Sequence, residues 1–433
     1  MRALLLLLLG ASAAPASPAP TSGDPPPNLL VITLDDVGID RFPSYGVHPT
    51  PVRMPVMEQL IAQGVTFDRV WAMPSCSPTR ASLLTGRFPH RHGVLNQIGP
   101  GDPNEPDLDP SEPVLARKLP GYRSAVIGKW HLRSAARPTT HPLQCGFGLH
   151  LGSMYNVGAS GYFDWRRFVN GVWHQEFRYA TTVTTTDAVR VARQLPEPWF
   201  LYVNYNAAHS PFHVPPQDLH TYGQPTDDLT RYRAMLEAMD TEIGRLLASV
   251  DLEETLVVVV GDNGTPQPVT DGPWPPHHAK GSLYEGGVRV PLVVAGPGVS
   301  QGRSEALISI VDLHRTLIEV AGGTFQSEDS ISFLPQLVAP QTPGARQWLF
   351  AEKNNDSTGQ GQTGPGHERA ISDGRWKLLR NNFGDELYDL SVDLVEGNNL
   401  LGAPLSGEAQ AAYDSLQLRS EEHTSELQSR QYL

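Results

Sequence analysis

Two pairs of oxygen-bearing side chains stand directly after apolar runs in this 433-residue chain. Asp35-Asp36 follows N-L-L-V-I-T-L at 28–34, and Asp262-Asn263-Gly264 follows T-L-V-V-V-V at 255–260. Carboxylate and amide oxygens are hard donors that suit Ca²⁺ or Mg²⁺ rather than zinc. Each pair alone is an ordinary turn sequence, because Asp, Asn and Gly favour turns. Together, at the ends of two predicted parallel strands, they point to one divalent-cation site. A third stretch is Cys76-Ser77-Pro78-Thr79-Arg80-Ala81-Ser82-Leu83-Leu84-Thr85-Gly86. Pro78 suits the first turn of a helix, so Cys76 is expected at a helix N-terminus with Arg80 one turn on, an arrangement that attracts anions. On chemistry alone, the cysteine reads equally as a thiolate nucleophile or a packed structural residue.

The stretch from Cys76 to Gly86 resembles the sulfatase signature C-x-P-S/T-R-x-x-x-L-T-G at every specified position. Gly121-Tyr122-Arg123-Ser124, running on to Gly128-Lys129-Trp130-His131-Leu132, is similar to the second signature of that family. Ala208-His209-Ser210-Pro211, Gly261-Asp262-Asn263-Gly264 and the segment from Lys280 to Pro291 are similar to its later landmarks, so the likeness runs over about residues 28–400. The resemblance implies an alkaline-phosphatase-like α/β fold and a sulfuric ester hydrolase of the formylglycine-dependent type. Cys76 would be oxidised to formylglycine by a separate maturation enzyme. The reaction would pass through a sulfate ester of the hydrated aldehyde. Asp35, Asp36, Asp262 and Asn263 would hold one Ca²⁺ that also touches residue 76, and Arg80, Lys129, His131, His209 and Lys280 would surround the reacting group.

Those roles agree with the demands of the reaction. The leaving oxygen of a sulfate monoester develops negative charge as the S–O bond breaks, so cations and acids must already be in place. Arg80 and Lys129 supply fixed positive charge, His209 and Lys280 are candidates to protonate the leaving oxygen, and His131 is the candidate base. Asp35 and Asp262 are interchangeable in metal distance at this stage. His90, His92, His213, His277 and His278 are expected as loop residues, Glu285 as a buttress of its loop, and Cys145 as a free buried thiol. Arg133 stands where many relatives carry glycine, which bears on specificity.

The elements that must position these groups alternate. Buried runs at 28–34, 124–128, 199–205, 255–260 and 290–295 read as strands of a large, mostly parallel sheet. The segment 229–248 reads as an amphipathic helix, with Tyr232, Leu236, Met239, Ile243 and Leu247 inward and Arg231, Arg233, Glu237 and Arg245 outward, and another helix is expected over 308–321. This predicts an α/β catalytic domain over 28–345, with ligands beyond the carboxyl ends of the strands. Short strand-like pieces at 348, 375 and 385 and a helix near 406–417 predict a small C-terminal α+β subdomain over 346–418. Substrate-choosing loops are expected at about 146–180, 265–279 and 354–384, with Tyr155, Tyr162, Trp165, Trp173 and Trp274 as faces for sugar rings.

Arg2, the leucine run Leu4–Leu9 and the small residues 11–14 predict a signal peptide over 1–14 and a linker over 15–27, hence a secreted or periplasmic protein with no integral membrane segment after cleavage. Residues 419–433 are expected as a non-native or disordered tail. With 33 Lys and Arg against 46 Asp and Glu, the net charge of −13 argues against nucleic acid as a partner. The expected partner is a sulfated small molecule or oligosaccharide. Three other readings are open: a phosphonate or phosphodiester hydrolase of the same superfamily, an inactive sulfated-glycan-binding relative, and a hydrolase using unmodified Cys76.

Overall fold

A computed structural model describes residues 25–101, 106–158, 161–354 and 366–430, with side chains through residue 422. The predicted signal peptide and most of the linker lie outside these residues.

Fourteen strands are described: β1 Asn28–Leu34, β2 Val65–Trp71, β3 Arg123–Gly128, β4 Leu149–Gly152, β5 Trp165–Val169, β6 Val172–Glu176, β7 Trp199–Asn204, β8 Thr255–Gly261, β9 Leu292–Ala295, β10 Gly302–Ser309, β11 Leu349–Asn354, β12 His367–Ser372, β13 Trp376–Asn381 and β14 Gly384–Asp389. The first ten form one sheet in the order β10-β2-β9-β8-β1-β7-β3-β4-β5-β6. β1 lies at its centre, parallel to β7 and β8. It reads as an unbroken apolar run because both its faces are covered: Leu29 and Val31 belong to the core on one side, and Leu30, Ile32 and Leu34 to the core on the other. Parallel neighbours end on the same edge, so the residues following β1, β3, β7 and β8 emerge together.

The predicted central strands are all present, but the run at 290–295 yields β9, which is antiparallel to both β2 and β8. The helix expected over 308–321 spans Asp312–Val320, because Ile308 and Ser309 complete β10. Helix Asp228–Leu247 matches the predicted span, with one reversal: Glu237 is buried, accepting from Arg53 and Thr221. Its carboxylate tolerates burial because donors surround it.

The antiparallel sheet β11–β14 packs one face into the main core, where Leu349, Ala351, Ala370 and Leu379 join Phe67, Val70 and Leu307. Its other face carries Ile371, Trp376, Leu378 and Leu387, which meet Ala409 and Leu416 of helix Gly407–Arg430. That helix runs past residue 419, where the non-native or disordered tail is expected. The segment lacks glycine and proline, and helical geometry lets Arg419 pair with Glu422 at 3.3 Å while Ser420 is buried and Arg380 reaches Glu421 at 3.5 Å. Residues 431–433 lie outside the described set. Among the described residues, no helix is long and apolar enough to cross a membrane.

Candidate active site

The carboxyl edge of the sheet delivers the two acidic pairs to one point. Asp35 and Asp36 leave β1, Asp262 and Asn263 leave β8, and Cys76 is the first residue of helix Cys76–Thr85. One ligand atom from each of Asp35, Asp36, Cys76 and Asp262 lies within 4.8 Å of the others, all four residues being buried. The backbone N–H of Asp36 donates to Asp262 at 3.1 Å, tying the strand ends together. Asn263 donates to Asp36 Oδ1 at 2.8 Å, while its Oδ1 is buried without a partner among the described residues. Three carboxylates and an orphaned amide oxygen lie here beside the thiol, and these oxygens form a donor set that fits a hard cation such as Ca²⁺.

Four cationic or titratable groups crowd these anions. Lys129 Nζ lies 2.5 Å from Asp35, and Arg80 lies 2.8 Å from Asp262 and 3.8 Å from Asp35. Lys280 Nζ is 2.5 Å from Asp36 Oδ1 and 3.8 Å from Cys76 Sγ. His209 Nε2 stands 3.9 Å from Asp36 Oδ2. Burial alone would raise the Asp35 carboxyl, but Lys129, His209, Arg80 and Lys280 hold it well below the usual range. Asp262 is pushed up to about 6 by burial and by Asp35, against the pull of Arg80. Burial, with Asp262 and Asp35 beside it, pushes the Cys76 thiol well above its ordinary value. An unmodified Cys76 is therefore a neutral thiol here and a poor nucleophile.

The histidines divide by tautomer. His131 Nε2 donates to the carbonyl of Ile98 at 3.0 Å, which leaves Nδ1 buried with its lone pair and no partner among the described residues. Burial, reinforced by Lys129 and Arg80, keeps this ring neutral. His209 Nδ1 faces the carbonyl of Ser210 at 2.8 Å and so carries the proton, while Nε2 accepts from Asn156 at 3.2 Å. Burial lowers the His209 pKa as well. Lys280 instead keeps its proton, because Asp36 more than offsets the cost of burial. Two non-glycine residues at this edge, Asp36 (φ 64°) and His131 (φ 59°), adopt left-handed backbone. Such conformations are costly and concentrate at functional sites.

The Sulfatase family model matches residues 27–323, more than half of the chain. The chain belongs to the sulfatase family. It is 28% identical to arylsulfatase J of Mus musculus over 400 residues, covering 84% of this chain and 66% of that protein. It is 33% identical to N-acetylgalactosamine-6-sulfatase of Homo sapiens over 378 residues, covering 76% of this chain and 67% of that one. The chain thus spans about two thirds of these relatives' length. Among solved structures, Ps i-CgsB in complex with k-i-k-neocarrahexaose superposes with a TM-score of 0.78 at 23% identity, covering 92% of each chain. BT4656, in complex with its substrate D-glucosamine-2-N,6-O-disulfate, gives 0.75 at 20%, covering 94% of this chain and 99% of that one. The sulfatase fold is shared throughout.

Within this sulfatase, Asp35, Asp36, Cys76, Arg80, Lys129, His209, Asp262, Asn263 and Lys280 meet around one point, and His131 is buried. Asn156, which donates to His209 Nε2, carries no sequence signal beyond its place in the predicted 146–180 loop. That loop region also holds β4–β6, and 354–384 holds β12 and β13. Of the proposed aromatic faces, Tyr162, Trp165 and Trp274 are buried and closed to sugar rings, whereas Trp173 is 54% exposed. The Tyr162 hydroxyl instead donates to the carbonyls of Asn206 and, at 2.7 Å, His209.

The expected loop histidines also differ. His90 and His92 lie on helix Pro89–His92 and are buried, His90 bonding Glu352 at 2.7 Å. His278 is buried and stacked on Tyr284 with centroids 3.6 Å apart, while His277 is exposed. Cys145 is a free, buried cysteine, and Glu285 is a buried ion-pair partner of Lys377 at 3.0 Å.

Proposed function

We propose that this chain hydrolyses sulfate monoesters, on a carbohydrate or an aryl alcohol, with formylglycine at position 76 and one Ca²⁺. The observation that carries this reading is the meeting of three carboxylates and the orphaned Asn263 oxygen with Lys129, Arg80 and Lys280 around Cys76 Sγ. Asp35, Asp36, Asp262 and Asn263 would hold the cation beside residue 76, and when bound it supplies Lewis-acid charge to the ester's non-bridging oxygens. Formylglycine, when formed, supplies an oxygen nucleophile where the buried thiol does not.

The remaining work falls to this chain's own side chains. Arg80 and Lys129 hold positive charge against the sulfate and restrain Asp262 and Asp35. The Lys280 ammonium stands 3.8 Å from Cys76 Sγ, within reach of an ester at residue 76, and is the acid that protonates the departing oxygen. His209, its Nδ1 bonded to Ser210 and its Nε2 to Asn156, borders the site beside Asp36. His131 Nδ1 holds a free lone pair and serves as the base that takes a proton from the hydroxyl at position 76. Relatives named N-acetylgalactosamine-6-sulfatase, and a fold neighbour bound to a disulfated glucosamine, support a sulfated carbohydrate as the substrate class. The leucine-rich start of the chain supports a secreted or periplasmic location, and formylglycine would require a separate maturation enzyme.

The test is direct. Protein co-produced with a formylglycine-generating enzyme should show the aldehyde by mass spectrometry of the peptide holding residue 76. It should desulfate aryl sulfates and members of a sulfated-sugar panel in preference to matched phosphate esters. Cys76→Ala, folded and supplied with Ca²⁺, should lose at least about 10³-fold in turnover, the scale of losing a covalent nucleophile. Undiminished activity in that variant sinks the proposal.

A further inference from the structure

Lys280 arrives on a loop, yet its ammonium stands in a fixed place. Two other lysines, neither carried by any signature in the sequence, explain how. Lys353, on β11, donates to the carbonyl of Gly281, the residue next to Lys280, at 2.9 Å, and pairs with Glu368 on β12 at 3.1 Å. Lys377, on β13, is fully buried and bridges Glu285 at 3.0 Å and Glu396 at 2.8 Å. Glu396 in turn accepts from the backbone N–H of Glu285 at 2.5 Å. Between these anchor points, the Gly281 N–H donates to Pro74, just ahead of Cys76, at 2.9 Å, and Tyr284 donates to Glu386 on β14 at 2.8 Å. The segment 280–285 is thus tied at both ends to the antiparallel sheet and, at Gly281, also to the approach to residue 76.

We propose that Lys353 and Lys377 are positioning residues that hold the Lys280 ammonium on the leaving oxygen, so that the C-terminal sheet sets the efficiency of leaving-group protonation. This rests on the role given to Lys280 above. A group fixed by a short, doubly anchored loop loses effectiveness steeply when displaced by about an ångström. Protonation matters most for a basic leaving oxygen and least for a stabilised one. Mispositioning therefore has a signature that general destabilisation lacks: it penalises poor leaving groups selectively.

The experiment compares 4-nitrophenyl sulfate with phenyl sulfate, whose leaving phenol is about as basic as that of tyrosine, near 10. In Lys353→Met and Lys377→Met, kcat for phenyl sulfate should fall about tenfold while that for 4-nitrophenyl sulfate falls less than about threefold, a part of the roughly 10²–10⁴-fold that general acid catalysis supplies. KM should stay within about twofold, amides 281–288 should exchange hydrogen faster, and Lys353→Arg should restore the phenyl sulfate rate. Equal losses on both esters, no loss on either, or unchanged exchange overturns the inference. Lys353 is 17% exposed in its side chain, so its variant reports even where Lys377→Met fails to fold. A wild-type protein that cleaves neither ester overturns the proposed function instead.

Discussion

Asp35, Asp262 and Arg80 have no exposed side-chain surface and reach the site from β1, β8 and the helix behind Cys76, whereas Lys280 and His209 are each 14% exposed and arrive on loops. The first group is placed by strand pairing: β1 and β8 are in register from Asn28 to Leu34, so the positions of Asp35 and Asp262 follow from the sheet. The second group is placed by polar struts from elsewhere, Asn156 for His209 and the C-terminal lysines for Lys280. Charge that binds and neutralises is therefore built into the most rigid part of the molecule. Lys280, the proton donor assigned to the leaving oxygen, sits instead on a loop where small shifts are possible.

Substitutions separate the two halves. The largest loss of stability is expected from Asp35→Asn on the sheet side, because it leaves the Lys129 ammonium buried without its partner at 2.5 Å. Removing one member of such a pair costs about 3–5 kcal/mol. Urea unfolding with chelator present, so that the ion pair is read alone, should show a drop of that size. A drop below about 1 kcal/mol would remove the distinction between the halves.

Lys280→Met should act the other way round. Its side chain is 14% exposed and its partner Asp36 keeps the hydrogen bond from Asn263, so the stability loss should be smaller than that of Asp35→Asn. Turnover of phenyl sulfate should fall about 100-fold, within the range of general acid catalysis. Equal slowing of phenyl and 4-nitrophenyl sulfate would show that Lys280 binds rather than protonates.

The smallest effect belongs to the strut. Burial and the neighbouring Glu285, against the pull of Lys377, push the Glu396 carboxyl up to about 7. A carboxyl raised in the folded state contributes stability below its unfolded value of about 4.3 that is lost as pH rises towards 7. Glu396→Gln cannot ionise, so its Tm should gain on the wild type by a few degrees between pH 5 and pH 7.5. A difference that stays constant over that interval would show that Glu396 does not titrate there.

The sheet half was legible because a strand buried on both faces writes an unbroken apolar run, and the first polar residue after it marks the strand end. Asp35 and Asp262 are such residues, and the helix beginning at Cys76 followed from Pro78. The loop half was legible only through motif likeness at His209 and Lys280, since an isolated histidine or lysine has no periodicity. Asn156, Lys353 and Lys377 left no mark at all: their partners lie 53, 72 and 92 residues away, and tertiary pairing at that distance has no local pattern. Glu237 misled for the same reason, as a charge on a helix reads outward until donors from other segments are seen. β5 and β6 were missed because they form a largely exposed hairpin, with little apolar alternation to announce it.

The interlock between β11–β14 and the Lys280 loop bears on how this chain can be divided. The family match ends at residue 323, which invites a shortened protein stopping before β11. Such a cut would strip the cover from Phe67, Val70 and Phe88, and would take Lys377 from Glu285, leaving it Arg289 at 3.4 Å. What looks like an appendix in sequence order is a keystone in space. Modular exchange between sulfatases should therefore carry the loop and the sheet together, or neither.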